Sequence, residues 1–164
     1  FKRLDASYEE DWFAAVNEPD FQVPWIYNWT NTPYKTSEVI HRIFNEIYNS
    51  TPSGLPGNDD LGAMGAWYVY ASIGLYPIIP GVPGFSVSSP QFEKITLNFS
   101  EGEFVITGGD ANQPFIQSLK FNGTNYKRPW LDWDSIKIGG TLDFKSSKTP
   151  NKNWGKNTES PSFK

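Results

Sequence analysis

The sequence contains no cysteine and a single histidine, His41. These absences exclude disulfides, thiol catalysis and cysteine-ligated zinc, and they leave no imidazole cluster for a metal or a serine triad. Long hydrophobic runs are missing too, since no apolar stretch approaches the roughly 20 residues a membrane helix requires. Positive charge is scarce: 14 Lys and Arg against 18 Asp and Glu give a net charge of -4. Such a chain offers no basic field to a nucleic-acid backbone or an anionic lipid, so neither nucleic acid nor membrane is expected as a partner. Acid–base chemistry is left to carboxylates. Aromatic residues, by contrast, are abundant, with 7 Trp, 8 Tyr and 12 Phe. That load suits a bulky core or flat platforms for sugar faces, and composition does not separate the two.

Along the chain, the hydrophobic period changes near Pro77-Ile78-Ile79-Pro80-Gly81-Val82-Pro83-Gly84. A division into a helical part at 1–80 and a β-rich part at 81–164 is expected there. Upstream, Thr36-Ser37-Glu38 precedes apolar residues at Val39, Ile40, Ile43, Phe44, Ile47 and Tyr48, the stripe of a one-sided helix with a Thr or Ser cap. Leu61 to Leu75 is apolar or small nearly all round, which predicts a helix buried on several sides. Downstream, β-branched or alternating runs predict strands at Ile95 to Phe99, Phe104 to Thr107, Ile116 to Phe121, Ile136 to Ile138 and Leu142 to Phe144. Asn122-Gly123 is the strongest hairpin signal. From Ser146 the chain is expected to cross the surface, with Trp154 as its anchor. The fold class read from these patterns is α+β.

Chemistry concentrates in Gly57-Asn58-Asp59-Asp60-Leu61-Gly62, directly before the apolar helix. A helix N-terminus presents unpaired N–H groups and the positive end of its dipole, which favours ionised carboxylates and suits a general base. Capping is the commonest use of Asp at this position, so a cap and a base are both open readings for Asp59 and Asp60. A second polar cluster, Asn17-Glu18-Pro19-Asp20, precedes the aromatic run Val23-Pro24-Trp25-Ile26-Tyr27-Asn28-Trp29. Acids beside aromatics fit a sugar subsite, and an exposed loop packed over Trp fits equally. Trp25, Trp29, Trp130 and Trp133 are the candidate sugar platforms, whereas Trp67 and Tyr68 read as core and His41 as a surface histidine.

Several blocks in this order resemble the C-terminal part of glycoside hydrolase family 92. They are Asn17-Glu18-Pro19, Val23-Pro24-Trp25-Ile26-Tyr27-Asn28, Pro33-Tyr34-Lys35-Thr36, Gly57-Asn58-Asp59-Asp60-Leu61-Gly62-Ala63-Met64-Gly65-Ala66-Trp67-Tyr68-Val69 and Gly74-Leu75-Tyr76-Pro77. The resemblance implies a calcium-dependent, inverting exo-α-mannosidase acting on mannose-containing glycans, and a secreted, periplasmic or cell-surface location. It implies Asp60 as the principal base, with Asp59 in the same catalytic loop. Asn58 stands where some members carry a further acid and could orient the water. Glu18 would contact the sugar. Asn17 occupies a position that is often His in enzymes selective for α-1,2 linkages. The calcium ligands are not assignable residue by residue. The family fold is an (α/α)6 toroid with a β-sandwich, and twelve helices with their loops need roughly 190 residues. The chain therefore reads as a fragment: the last toroid helices followed by a β-rich, sandwich-like C-terminal region. The general acid is expected in an upstream segment of the same enzyme. Two rival readings remain at this point: a non-catalytic carbohydrate-binding module, and a toroid glycosidase of another sugar.

Overall fold

The computed structural model describes residues 15–162; the start of the expected helical part, residues 1–14, lies outside the described residues. The architecture is α+β, as the patterning predicts. Proline sets the opening geometry: Pro19 and Pro24 each stand near the start of a 3-10 stretch, Glu18–Asp20 and Val23–Trp29. Helix α1 spans Tyr34–Glu46, and its N-cap is Pro33 rather than the expected Thr or Ser. Pro33, with φ fixed at -60°, begins the helical turn early. Thr36 and Ser37 consequently fall inside the helix, where both are buried. Val39, Ile40 and Ile43 on the apolar stripe join Trp25, Tyr27, Met64, Trp67 and Ala71 in one helical core.

Helix α2 spans Ala63–Ile73 and follows a 3-10 turn at Asp60–Gly62. Gly74 ends it in the left-handed conformation (φ 83°), returning its N–H to the carbonyls of Tyr70 and Ala71. A Cβ at Gly74 would stand 2.7 Å from the Ser88 carbonyl oxygen, so glycine is required on two counts. The described residues cover α2 on one side. Met64, Trp67 and Ala71 face the core, while Tyr68, Val69 and Tyr70 are 41%, 56% and 39% exposed. Within the described residues only one face of α2 meets the helical core.

The β region contains two sheets. Strands β1 (Leu75–Tyr76), β2 (Gly84–Val87) and β7 (Trp130–Asp132) form a three-stranded antiparallel sheet in that order. The other sheet has the order β3 (Lys94–Asn98), β4 (Glu103–Thr107), β8 (Gly140–Ser147), β5 (Phe115–Phe121), β6 (Thr124–Tyr126), with only β4 and β8 parallel. Leu75, Val87 and Leu131 from the first sheet share a core with Phe104, Ile106, Leu119 and Leu142 from the second, a sandwich-like arrangement. Asn122 (φ 48°) and Gly123 (φ 76°) form the tight turn of the β5–β6 hairpin, as expected. The run at Ile136 to Ile138 does not form a strand: a short helix, α3 (Trp133–Ile136), occupies its start. There Ile136 is buried while Ile138 is exposed, a pairing at spacing two that copied strand alternation. Trp154 is buried and its indole N–H donates to the Tyr126 carbonyl at 3.2 Å, fixing the surface-crossing tail.

Candidate active site

The loop before α2 separates its two carboxylates. Asp59 Oδ1 accepts the backbone N–H groups of Met64 at 2.8 Å and Gly65 at 3.1 Å, so Asp59 is the side chain that caps α2. Asp60 is exposed: its backbone carbonyl accepts the Ala63 N–H, while its carboxylate accepts no hydrogen bond among the described residues. Leu61 (φ 53°) and Gly62 (φ 79°) both turn left-handed, breaking the helical path between Asp60 and α2. Leu61 is fully exposed. Asn58, two positions before Asp60, is also exposed.

The turn carrying Asn17 and Glu18 lies beside this loop. A Cβ on Gly57 would be 3.4 Å from Val16 Cβ and 4.0 Å from Met64 Cε, so the glycine lets the loop backbone settle against the residue next to Asn17. Trp67 fixes the other end of that turn, its indole N–H donating to the Phe21 carbonyl at 2.9 Å. The Tyr48 ring stacks on Trp67 at 5.7 Å between centroids. Its phenol is pushed up to about 12, first by burial and then by the nearby Asp59 carboxylate, and stays neutral at ordinary pH. Asn17 donates its amide to Asp20 Oδ2 at 3.3 Å, while Glu18 is exposed. Two polar clusters about forty residues apart in sequence thus meet on one buried aromatic floor.

The aromatic candidates divide. Trp25 and Trp130 are fully buried and cannot present a face to a sugar, which corrects the expectation that either is a platform. Trp25 instead stacks on Tyr76 at 4.2 Å between centroids. Trp133 packs edge-on against Phe99 and Phe85, at 5.1 and 6.2 Å. His41 is half-buried with its ring pKa lowered by burial. No composition signal pointed to Leu61; a glycine directly after it, permitting a left-handed pair, was the available cue.

Two further clefts do not include the acidic pair in their lining. An apolar one of about 530 Å³ separates α2 from the β region and is lined by Val69, Tyr70, Ile73, Phe85, Phe99 and Trp133. Its lining includes no carboxylate and so supplies no acid or base. A polar one of about 520 Å³ is bordered by Glu93, Asp110, Asn112 and Gln113. Backbone and side-chain hydrogen bonds from Asn112 and Gln113 hold the Asp110 carboxyl below its ordinary range and occupy both of its oxygens.

Residues 1–148 match the Glycosyl hydrolase family 92 catalytic domain. The chain belongs to glycoside hydrolase family 92. Among relatives of this family 92 chain, an uncharacterized secreted glycosidase from Arthroderma benhamiae is 30% identical over 159 residues, covering 93% of the chain and 20% of the relative. A family 92 α-mannosidase from Bacteroides thetaiotaomicron, solved in complex with mannoimidazole, is 33% identical with a TM-score of 0.81; the match covers 86% of this chain and 19% of that one. A family 92 inverting mannosidase from the same organism is 32% identical with a TM-score of 0.83, covering 90% of this chain and 20% of that one. The chain therefore spans about a fifth of the length of these relatives. Among the described residues, no helix is long and apolar enough to cross a membrane.

Proposed function

We propose that this chain supplies the general base and part of the sugar site of an inverting exo-α-mannosidase that removes terminal α-mannose from glycans. One observation carries the reading: the acidic loop and the Asn17-Glu18 turn are packed side by side, with Asp59 bonded to α2 and Asp60 left free beside them. A base must be ionised, accessible and unencumbered, and Asp60 meets the last two conditions. In this reaction a water oxygen attacks the anomeric carbon from the face opposite the leaving group while Asp60 takes its proton. The glycosidic C–O bond breaks as a general acid protonates the departing oxygen. Inverting enzymes place the two carboxyl groups roughly 6.5 to 9.5 Å apart to admit the water. The acid would come from an upstream segment of the same enzyme. Glu18 would bind sugar hydroxyls, Asn17 would influence linkage preference, and Asn58 would orient the water without accepting its proton.

Calcium belongs to this proposal for the whole enzyme. Among the described residues no three acidic or imidazole side chains come together. Calcium also accepts backbone and amide carbonyls and water, so its ligands would be completed by other parts of the enzyme, and no step is routed through the ion. Export to the periplasm, cell surface or medium is proposed with the mannosidase reading, since glycans are met there and one relative is described as secreted. A glycan-binding module is disfavoured, because residues 1–148 match a catalytic domain and the similar solved structures are mannosidases.

Asp60→Asn in the complete enzyme tests the base. It is expected to lower kcat on an α-mannoside by about 10² to 10⁴-fold with the melting temperature unchanged, since the amide keeps the shape and loses the basicity. Wild-type turnover by Asp60→Asn would overturn the assignment. The same assay after exhaustive chelation checks calcium, and full activity there would remove the ion from the proposal.

A further inference from the structure

Asp59 and Asp60 are neighbours on one loop, yet their bonding differs in kind. Asp59 makes three hydrogen bonds in its own vicinity: Oδ1 accepts Met64 N–H and Gly65 N–H, and its backbone carbonyl accepts Gly62 N–H at 3.0 Å. An N-cap side chain ordinarily reaches two or three residues ahead. Asp59 reaches five and six ahead, because the left-handed pair Leu61–Gly62 folds the loop back over the first turn of α2. Leu61 adopts a backbone conformation that L side chains rarely take, and its fully exposed side chain gains no packing in return among the described residues. The bonds of Asp59 are what hold that turn. Gly65 is fitted to the same device, since a Cβ there would stand 3.2 Å from Asp59 Oδ2.

The geometry points to Asp59 as a positioning residue: its carboxylate locks the left-handed turn that presents Asp60, and it takes no proton in the reaction. The inference rests on the reading of Asp60 as base. Both side-chain bonds of Asp59 end on a single oxygen, so the locking role uses lone pairs and not basicity. An amide oxygen at position 59 can accept the same two N–H groups. At position 60 an amide removes what the reaction needs. Two adjacent isosteric substitutions should therefore have opposite consequences, and sequence proximity hides the difference.

The experiment uses the complete enzyme carrying this chain, with an aryl α-mannoside as substrate. Asp59→Asn is expected to keep kcat near wild type, whereas Asp59→Ala, which loses both bonds, lowers kcat by up to about 10²-fold through misplacement of Asp60. Both variants should keep an acidic limb in the kcat/KM profile, because the titrating base is still present. Asp59→Asn as inactive as Asp60→Asn would make Asp59 a proton acceptor and overturn the inference. Wild-type kcat in Asp59→Ala would overturn it as well, by removing the lock. Failure of the underlying reading looks different: Asp60→Asn would keep wild-type turnover whatever happens at position 59.

Discussion

Among the described residues, Tyr48 and Tyr76 are the phenols on which the helical core acts most strongly. Each is pushed up to about 12, by burial first in both cases; the second cause is Asp59 for Tyr48 and Tyr70 for Tyr76. An unfolded chain ionises these groups near 10 while the folded chain holds them neutral. Their contribution to stability is therefore fully present below pH 10 and is lost as pH rises through about 12. Urea midpoints measured from pH 9 to pH 12 should fall across that window, and Tyr48→Phe should flatten part of the fall; an unaltered slope would contradict the assignment to Tyr48. At this scale the sequence was only half informative. It located the acidic pair, but it left open which Asp is the cap, because a reach of five and six residues depends on the φ angles of Leu61 and Gly62. It could not sort the Trp residues either, since burial of Trp25 and Trp130 is decided by partners distant along the chain.

Among the elements, the β5–β6 hairpin was the most legible, because its turn chemistry is local. Asn122 takes the left-handed φ and its Oδ1 also accepts Thr141 N–H at 2.8 Å, tying the turn to β8. Asn122→Ala is expected to destabilise the chain by roughly 1–2 kcal/mol, from the left-handed alanine and the lost hydrogen bond together. A urea midpoint at the wild-type value would refute this. Elements whose ends depend on tertiary context were misjudged. Pro33 displaced the expected cap of α1, and Ile136 became the buried end of α3 because Ile138 points away from the core. Helix α2 reads as buried all round because its outward face is as apolar as its inward one, yet within the described residues Val69 and Tyr70 border an open cleft.

At the scale of the whole molecule, the described residues form two cores, one helical and one between the sheets, and both reach the ends of α2. The ordered blocks made the family legible from the sequence. The rest of the site was not, since the chain spans about a fifth of its relatives. The 164-residue chain alone is expected to show no turnover of an aryl α-mannoside, because an inverting reaction needs an acid across the bond from Asp60. Calcium-dependent hydrolysis by the chain alone would place that acid within it, with Glu18 or Asp20 the next candidates. The larger sheet adds a consequence for biosynthesis. Its middle strand, β8, is the last to be translated, and it seats between the β3–β4 and β5–β6 hairpins, parallel to β4. Until the ribosome has delivered Gly140–Ser147, the nascent chain carries two separate hairpins, each with a bare inner edge. The sheet therefore closes late, by insertion, and a premature stop before residue 140 would release a product prone to pair with other chains.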